Sequence, residues 1–113
     1  MVYDTAKQLA AELKASEEYR VYAEAKERAT ENETTRTLID EYHRLQMQAQ
    51  AAALSGGKND EVLVKLQKVG ELLQFDSSAS AFLLAEFRMN RMLADVYKIL
   101  AEAVDIDLST LEA

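Results

Sequence analysis

The chain has 113 residues, of which 49% are hydrophobic and 29% are charged, and its formal net charge is −7. This length fits one domain, and the hydrophobic fraction is high enough for a packed core, which argues against intrinsic disorder. The acidic balance opposes binding to nucleic acid or to an anionic membrane, because both present negative charge. Since the chain has no cysteine, disulfides and thiolate metal sites are excluded.

Two further absences bear on location. No run approaches the roughly 18 apolar residues that a membrane-spanning helix needs. The first residues lack the basic start and the apolar stretch of a signal peptide. We therefore expect a cytoplasmic protein that does not insert into a membrane.

The residue pattern predicts helices throughout. The chain has no proline and only three glycines, and its apolar residues recur every three or four positions rather than every two. We predict an all-α fold of four to five helices in an antiparallel, bundle-like arrangement, with a long C-terminal helix and assembly into a helical oligomer. A single helical domain is expected over residues 1–108, followed by a frayed tail at 109–113.

Polar residues and glycines indicate where the helices begin and end. The first helix is predicted to end near Lys14, and Ser16 can cap the next one. The sequence leaves open whether the chain bends at Ser16 or continues as one helix. Asn32 can cap a third helix, and the run 55–59, which contains two adjacent glycines, predicts the clearest loop.

The last helix is the most informative segment. It is predicted to start after Asp76 and to run to about Val104, roughly 27 residues or 40 Å. Apolar residues form two lines along it, whereas a surface helix normally carries one apolar stripe. One line contains Phe82, Ala85, Met89, Met92, Val96, Ile99 and Ala103, and the other contains Leu83, Phe87, Leu93, Tyr97, Leu100 and Val104.

One apolar line can pack against the chain's own helices, and the other predicts a second subunit or another protein partner. The alternative is a central helix that the other helices of a monomer enclose completely. We predict a homo-oligomer, either a dimer or a tetramer, although the sequence does not show which line faces the neighbour. The candidate interface consists of Leu83, Phe87, Met89, Met92, Leu93, Val96, Tyr97 and Leu100.

No group of residues predicts catalysis. His43 follows Asp40 by three positions, but a di-iron bundle needs a Glu-x-x-His element on each of two helices, and this chain has one histidine. The Gly56-Gly57-Lys58 run fails as a phosphate loop because the preceding glycine, the following Ser or Thr and the strand are missing. We predict no catalytic, cofactor-binding or metal-binding residue. The alternative is a metal- or cofactor-dependent enzyme whose site forms between protomers.

The basic residues of the last helix allow two interpretations. Arg88 and Arg91 lie near Glu86 and Asp95, so we predict intrahelical salt bridges. The alternative is an RNA-binding accessory role that also uses Lys98, but direct contact with nucleic acid is not predicted.

The order and spacing of several short runs make the chain resemble the YlbF/YmcA (YheA-like) family of small bacterial helical proteins over nearly its whole length. No single run is diagnostic, because each consists of residues common in helices. The runs are Val2 to Ala6 with Leu9, Ser16 to Tyr19, Leu38-Ile39 with Tyr42, Leu45 to Gln48, Leu72 to Gln74, Ala85-Glu86, Arg91 to Leu93, Asp95-Val96 and Ile99.

The chain departs from the family pattern in two respects. Family members often place proline where this chain has Glu33 and Ser77, and some carry cysteines associated with an iron–sulfur cluster, which this chain lacks. The resemblance implies an all-α fold, self-association and a regulatory or adaptor role through protein contacts in the bacterial cytoplasm. In the better-known branch this role concerns RNA processing and developmental regulation.

Overall fold

The computed structural model describes residues 1–57 and 60–106, and within them the chain forms five helices and no strand. This confirms the predicted all-α fold with a long C-terminal helix. Lys58, Asn59 and the predicted tail at 109–113 lie outside the described residues. The helices are α1 (Val2–Lys14), α2 (Glu17–Glu31), α3 (Glu33–Leu54), α4 (Asp60–Gln74) and α5 (Ser77–Ala103).

The chain does break at Ser16, which the sequence had left open. The Ser16 hydroxyl donates a hydrogen bond to the Leu13 carbonyl at 2.6 Å and accepts one from the Tyr19 backbone N–H at 3.2 Å. One side chain therefore bonds a carbonyl in the last turn of α1, which also accepts from the Ser16 N–H, and an N–H in the first turn of α2. This confirms Ser16 as the cap of α2.

The predicted start and end of α3 are also confirmed. The Asn32 side chain accepts a hydrogen bond from the Thr35 N–H at 3.1 Å, as an N-cap should. At the other end Gly56 has a φ of 79°, a left-handed conformation that glycine adopts at low cost. This turn lets the Gly57 N–H reach the Ala52 carbonyl at 3.0 Å, which closes the helix in a Schellman motif.

The chain divides into two compact units, which we name by their place in the sequence. The central unit is Ala23–Leu83, and the terminal unit combines Met1–Tyr22 with Leu84–Ala113. The boundaries fall inside α2 and α5, so both helices contribute to both units. The single domain predicted over 1–108 stays a prediction.

The central unit contains a hydrophobic core. Leu45 on α3 and Leu73 on α4 are each only 1% exposed, because the loop brings α3 and α4 alongside each other. Full burial of a leucine side chain contributes roughly 1.5–3 kcal/mol. The other buried hydrophobic residues of this unit are Ala25, Ala29, Ile39, Val62, Ala79 and Phe82.

A polar connection joins the start of α3 to the start of α5. The buried Thr35 hydroxyl donates a hydrogen bond to Asp76 Oδ2, while Asp76 Oδ1 accepts from the Ser78 N–H at 3.0 Å and from the Ala79 N–H at 3.2 Å. The Thr35 hydroxyl, and then the Ser78 side chain, lower the pKa of Asp76 below its ordinary value. Asp76 thus caps α5, as predicted, and also holds α3.

The terminal unit buries much less. No residue of α1 is buried, and only Leu9 and Leu13 on its apolar side are half-buried. Val2 and Tyr3, at the start of α1, are each 80% exposed. Among the described residues of this unit, the buried ones are Ala85 and Ala101.

Candidate interaction surface

One face of α5 is covered at its beginning and uncovered at its end. At about 100° per residue, Met89, Leu93, Val96, Leu100 and Val104 lie on the same side of the helix as the buried Phe82. The first three are half-buried, but Leu100 is 52% exposed and Val104 is 63% exposed. We name this set, together with Tyr97 at its edge, the α5 apolar face: Met89, Leu93, Val96, Tyr97, Leu100 and Val104.

The two lines predicted from the sequence differ in exposure, but not completely. We expected one line to be covered and the other to be free. The first line is buried at Phe82 and Ala85 and half-buried at its next three residues, but it is exposed at Ile99, at 67%, and at Ala103. In the second line, two of the six residues are half-buried and four are exposed. The exposure of both lines therefore rises toward the end of α5.

The eight predicted interface residues fall into two groups. Phe87, Tyr97 and Leu100 are exposed, at 63%, 57% and 52%. Phe87 lies about 140° around the helix from Leu100, so these two cannot belong to one flat contact. The half-buried group is Leu83, Met89, Met92, Leu93 and Val96.

Sequence reasoning left Val104 out of the interface set, although it continues the α5 apolar face by one turn and is 63% exposed. The sequence contained the pattern needed to include Val104, because it lies four positions after Leu100 in the second predicted line. The helix itself ends at Ala103, so Val104 directly follows it, and Asp105 then has a φ of 56°.

The salt bridges predicted for Arg88 and Arg91 are wrong. Within the described residues, neither arginine has a carboxylate within 4.0 Å, although pairs form at Glu17–Arg20, Glu41–Arg44 and Glu61–Lys65. Glu86 lies two positions before Arg88, a spacing that turns the two side chains to different sides of a helix. The spacing of three or four that favours a pair is met only by Arg91 and Asp95, which stay apart.

His43 has a packing role in the central unit. It is half-buried, and its ring meets the Phe82 ring edge-on, with 6.2 Å between centroids and 72° between planes. Asp40, its proposed partner, is exposed. Over residues 1–57 and 60–106, no group of three or more His, Cys, Asp or Glu residues is arranged to hold a metal ion.

None of the described helices combines the length and the apolar character that crossing a membrane requires. The exposed apolar residues of α5 lie on a helix that also carries charged residues. Arg91, Asp95 and Lys98 are exposed on its other side.

Comparison with known proteins identifies relatives over almost the full length. The family model described as "Control of competence regulator ComK, YlbF/YmcA" matches residues 2–105. A UPF0342 protein of Symbiobacterium thermophilum is 37% identical over 95% of this chain and 96% of the relative. A UPF0342 protein of Desulfitobacterium hafniense is 38% identical over 91% of this chain and 84% of the relative.

Two solved structures share the fold. A protein of unknown function (DUF964) from Bacillus stearothermophilus matches with a TM-score of 0.75 at 20% identity, over 92% of each chain. Bacillus subtilis RicA, solved in complex with RicF, matches with a TM-score of 0.60 at 22% identity, over 92% of this chain and 93% of that one. The family match over residues 2–105 confirms the resemblance seen in the sequence: this chain belongs to the YlbF/YmcA family.

Proposed function

We propose that the protein is a non-catalytic regulatory adaptor of the bacterial cytoplasm, which self-associates through the α5 apolar face and binds other proteins. The observation that carries the proposal is the exposure of Tyr97, Leu100 and Val104, at 57%, 52% and 63%. These side chains extend a face whose earlier residues are half-buried. Contiguous apolar surface of this kind marks interaction sites, because its removal from water is favourable.

A second copy of the chain is the simplest cover for this face. A two-fold dimer places the same patch of each subunit against its counterpart, so one exposed face completes two interfaces at once. The terminal unit needs such cover, since its buried described residues are alanines. A dimer of dimers would give the tetramer.

Relatives support the adaptor role. The family description concerns control of a competence regulator, and RicA was solved bound to RicF. We propose that this protein likewise acts by holding protein partners, in RNA processing or in developmental regulation. On this view its self-associated form is the scaffold that presents partner-binding surfaces.

Light scattering of the purified chain from about 1 to 100 μM tests self-association. We expect a dimer or tetramer that dissociates on dilution. The Leu100→Asp variant should weaken the assembly by roughly a hundredfold, because it removes an apolar contact and places a carboxylate in the interface.

Leu72→Asp is the matched control, since Leu72 is a similarly exposed leucine, at 57%, on α4 of the central unit. It should leave the mass unchanged. A strictly monomeric parent protein, or equal effects of Leu100→Asp and Leu72→Asp, would overturn the proposed interface.

A further inference from the structure

We propose that a second surface of α5 docks an acidic amphipathic helix of a partner protein. This surface, which we name the outer α5 surface, consists of Leu84, Phe87, Arg88 and Arg91. The proposal rests on the adaptor role proposed above, because it specifies the chemistry of the bound partner. It does not use the α5 apolar face.

The four residues lie together because of their spacing. Positions separated by three, four and seven residues occupy one side of an α-helix, with neighbouring Cβ atoms about 5–6 Å apart. At about 100° per residue, the centre of this group lies roughly opposite the α5 apolar face. All four residues belong to the terminal unit. The four side chains therefore form one contact surface on a single helix.

The apolar half of the outer α5 surface is exposed. Leu84 is 52% exposed and Phe87 is 63% exposed. Phe82 and Ala85, which are buried, lie on other sides of the helix. Exposed aromatic side chains beside arginines have the composition of interface hot spots.

Neither arginine of the outer α5 surface makes an ion pair within 4.0 Å among the described residues. The positions three and four residues from Arg88 hold no carboxylate, and Arg91 has only Asp95, which lies beyond 4.0 Å among the described residues. Elsewhere in the chain, Arg20 and Arg44 each pair with a glutamate three residues earlier. The two arginines of α5 are thus positioned to bind carboxylates from outside.

A small cleft beside Arg88 is also lined by two acidic side chains of α2. The cleft has a volume of about 90 Å³ and is lined by Glu17, Glu18, Val21, Ala85 and Arg88. Glu17 is already bound by Arg20. Glu18 makes no ion pair within 4.0 Å among the described residues. Neither glutamate therefore neutralises Arg88.

These features fit one class of ligand. Two arginines bind carboxylates through paired, charge-assisted hydrogen bonds, while Leu84 and Phe87 offer contact to apolar side chains between them. A helix with leucines every three or four positions and flanking glutamates supplies both groups. Single-stranded RNA would satisfy the arginines and stack on Phe87, but it would leave Leu84 uncovered.

The probe is a synthetic 18-residue helical peptide with leucines at that spacing and glutamates beside them. It is titrated into the full ¹⁵N-labelled chain, and amide shifts are followed. We expect saturable shifts centred on residues 84–91, weaker at high salt. The double variant Arg88→Gln/Arg91→Gln should raise the Kd about tenfold or more, which is about 1.4 kcal/mol.

Lys68→Gln is the matched control, because Lys68 is an exposed cation of the central unit with no ion pair among the described residues. It should leave the Kd unchanged, and a peptide with lysine in place of glutamate should not bind. The proposal is overturned if the acidic peptide causes no saturable shift. It is also overturned if Lys68→Gln acts as strongly as the double variant, or if a 15-nucleotide oligo(U) binds this surface more tightly than the peptide.

The two proposals fail separately. Leu100→Asp should dissociate the oligomer and keep peptide binding, whereas Arg88→Gln/Arg91→Gln should keep the oligomer and lose peptide binding. If the arginine variant dissociates the oligomer instead, the outer α5 surface is a contact between copies and the docking proposal is wrong.

Discussion

The central and terminal units are built from the same kind of helix, yet they differ in what they bury. The central unit encloses leucine, isoleucine, valine and phenylalanine side chains, with Leu45 and Leu73 each at 1% exposure. The terminal unit, over its described residues, buries Ala85 and Ala101 and leaves Leu100 half exposed. Alanine removes little apolar area from water, so the terminal unit gains far less from packing within the chain.

The two units also differ in how their helices are secured. In the central unit, Asn32 caps α3 and Asp76 caps α5 while binding Thr35. In the terminal unit, Ser16 caps α2, but α1 begins at Val2 without any side-chain cap. The two units of one helical chain therefore differ in how much each gains from packing within the chain.

The largest expected effect tests where stability resides. Leu73→Ala should lower the free energy of unfolding by about 2–5 kcal/mol, because it leaves a cavity between packed helices. Leu100→Ala should cost less than about 1 kcal/mol in dilute protein, and its cost should grow with protein concentration as self-association contributes. Urea denaturation at two protein concentrations measures both.

The neighbouring Leu72→Ala serves as the control for Leu73→Ala, because Leu72 is 57% exposed on the same helix. Equal losses for Leu73→Ala and Leu100→Ala in dilute protein would contradict the comparison between the two units.

The next effect tests the polar connection within the central unit. Thr35→Val removes the hydroxyl that binds Asp76 and should cost about 1 kcal/mol at pH 7. It should also raise the pKa of Asp76, since the Thr35 hydrogen bond is the largest cause of its lowering. Carboxyl NMR titration measures the pKa, and urea denaturation measures stability.

The stability difference between the parent protein and Thr35→Val should depend on pH in one direction. Because the folded pKa of Asp76 is lowered, its contribution is complete above the unfolded pKa of about 3.9 and is lost as pH falls through the folded pKa. The difference between the parent and Thr35→Val should therefore narrow in acid. Thr37→Val, which removes only a local bond to the Glu33 carbonyl, is the control, and an unchanged Asp76 pKa in Thr35→Val would refute the connection.

The smallest effect concerns a glycine inside α4. A Cβ added at Gly70 would lie 3.5 Å from Tyr42 Cε1, an ordinary contact distance. Gly70→Ala should therefore stabilise the protein by about 0.5–1 kcal/mol, because alanine restricts the unfolded chain and favours helix. Thermal unfolding measures the gain.

Gly56→Ala is the opposite case, since a φ of 79° is strained for alanine even though nothing lies within 4 Å. It should destabilise by about 1 kcal/mol. If Gly70→Ala instead lowered the free energy of unfolding by a similar amount, α3 and α4 could not accommodate a methyl group at that position.

Local chemistry made much of the fold predictable. Asn32, Asp76 and the adjacent glycines act on the backbone within a few residues, so their effects could be read from spacing alone. The prediction for Arg88 and Arg91 failed because nearness in sequence does not set the direction of a side chain on a helix. The two-line prediction for α5 is met only in part, since the cover of a helix depends on which other segments lie against each part of it.

The sequence by itself determined the helical class, the helix boundaries other than the break at Ser16, and the family, because each depends on periodicity, on capping residues or on the order of short runs. Only the tertiary structure decided that Phe82 is buried while Leu100, on the same side of α5, is 52% exposed. It also decided that Leu84 and Phe87 are exposed, at 52% and 63%. Burial depends on contacts between segments far apart in the chain, whereas helix formation depends on residues a few positions away.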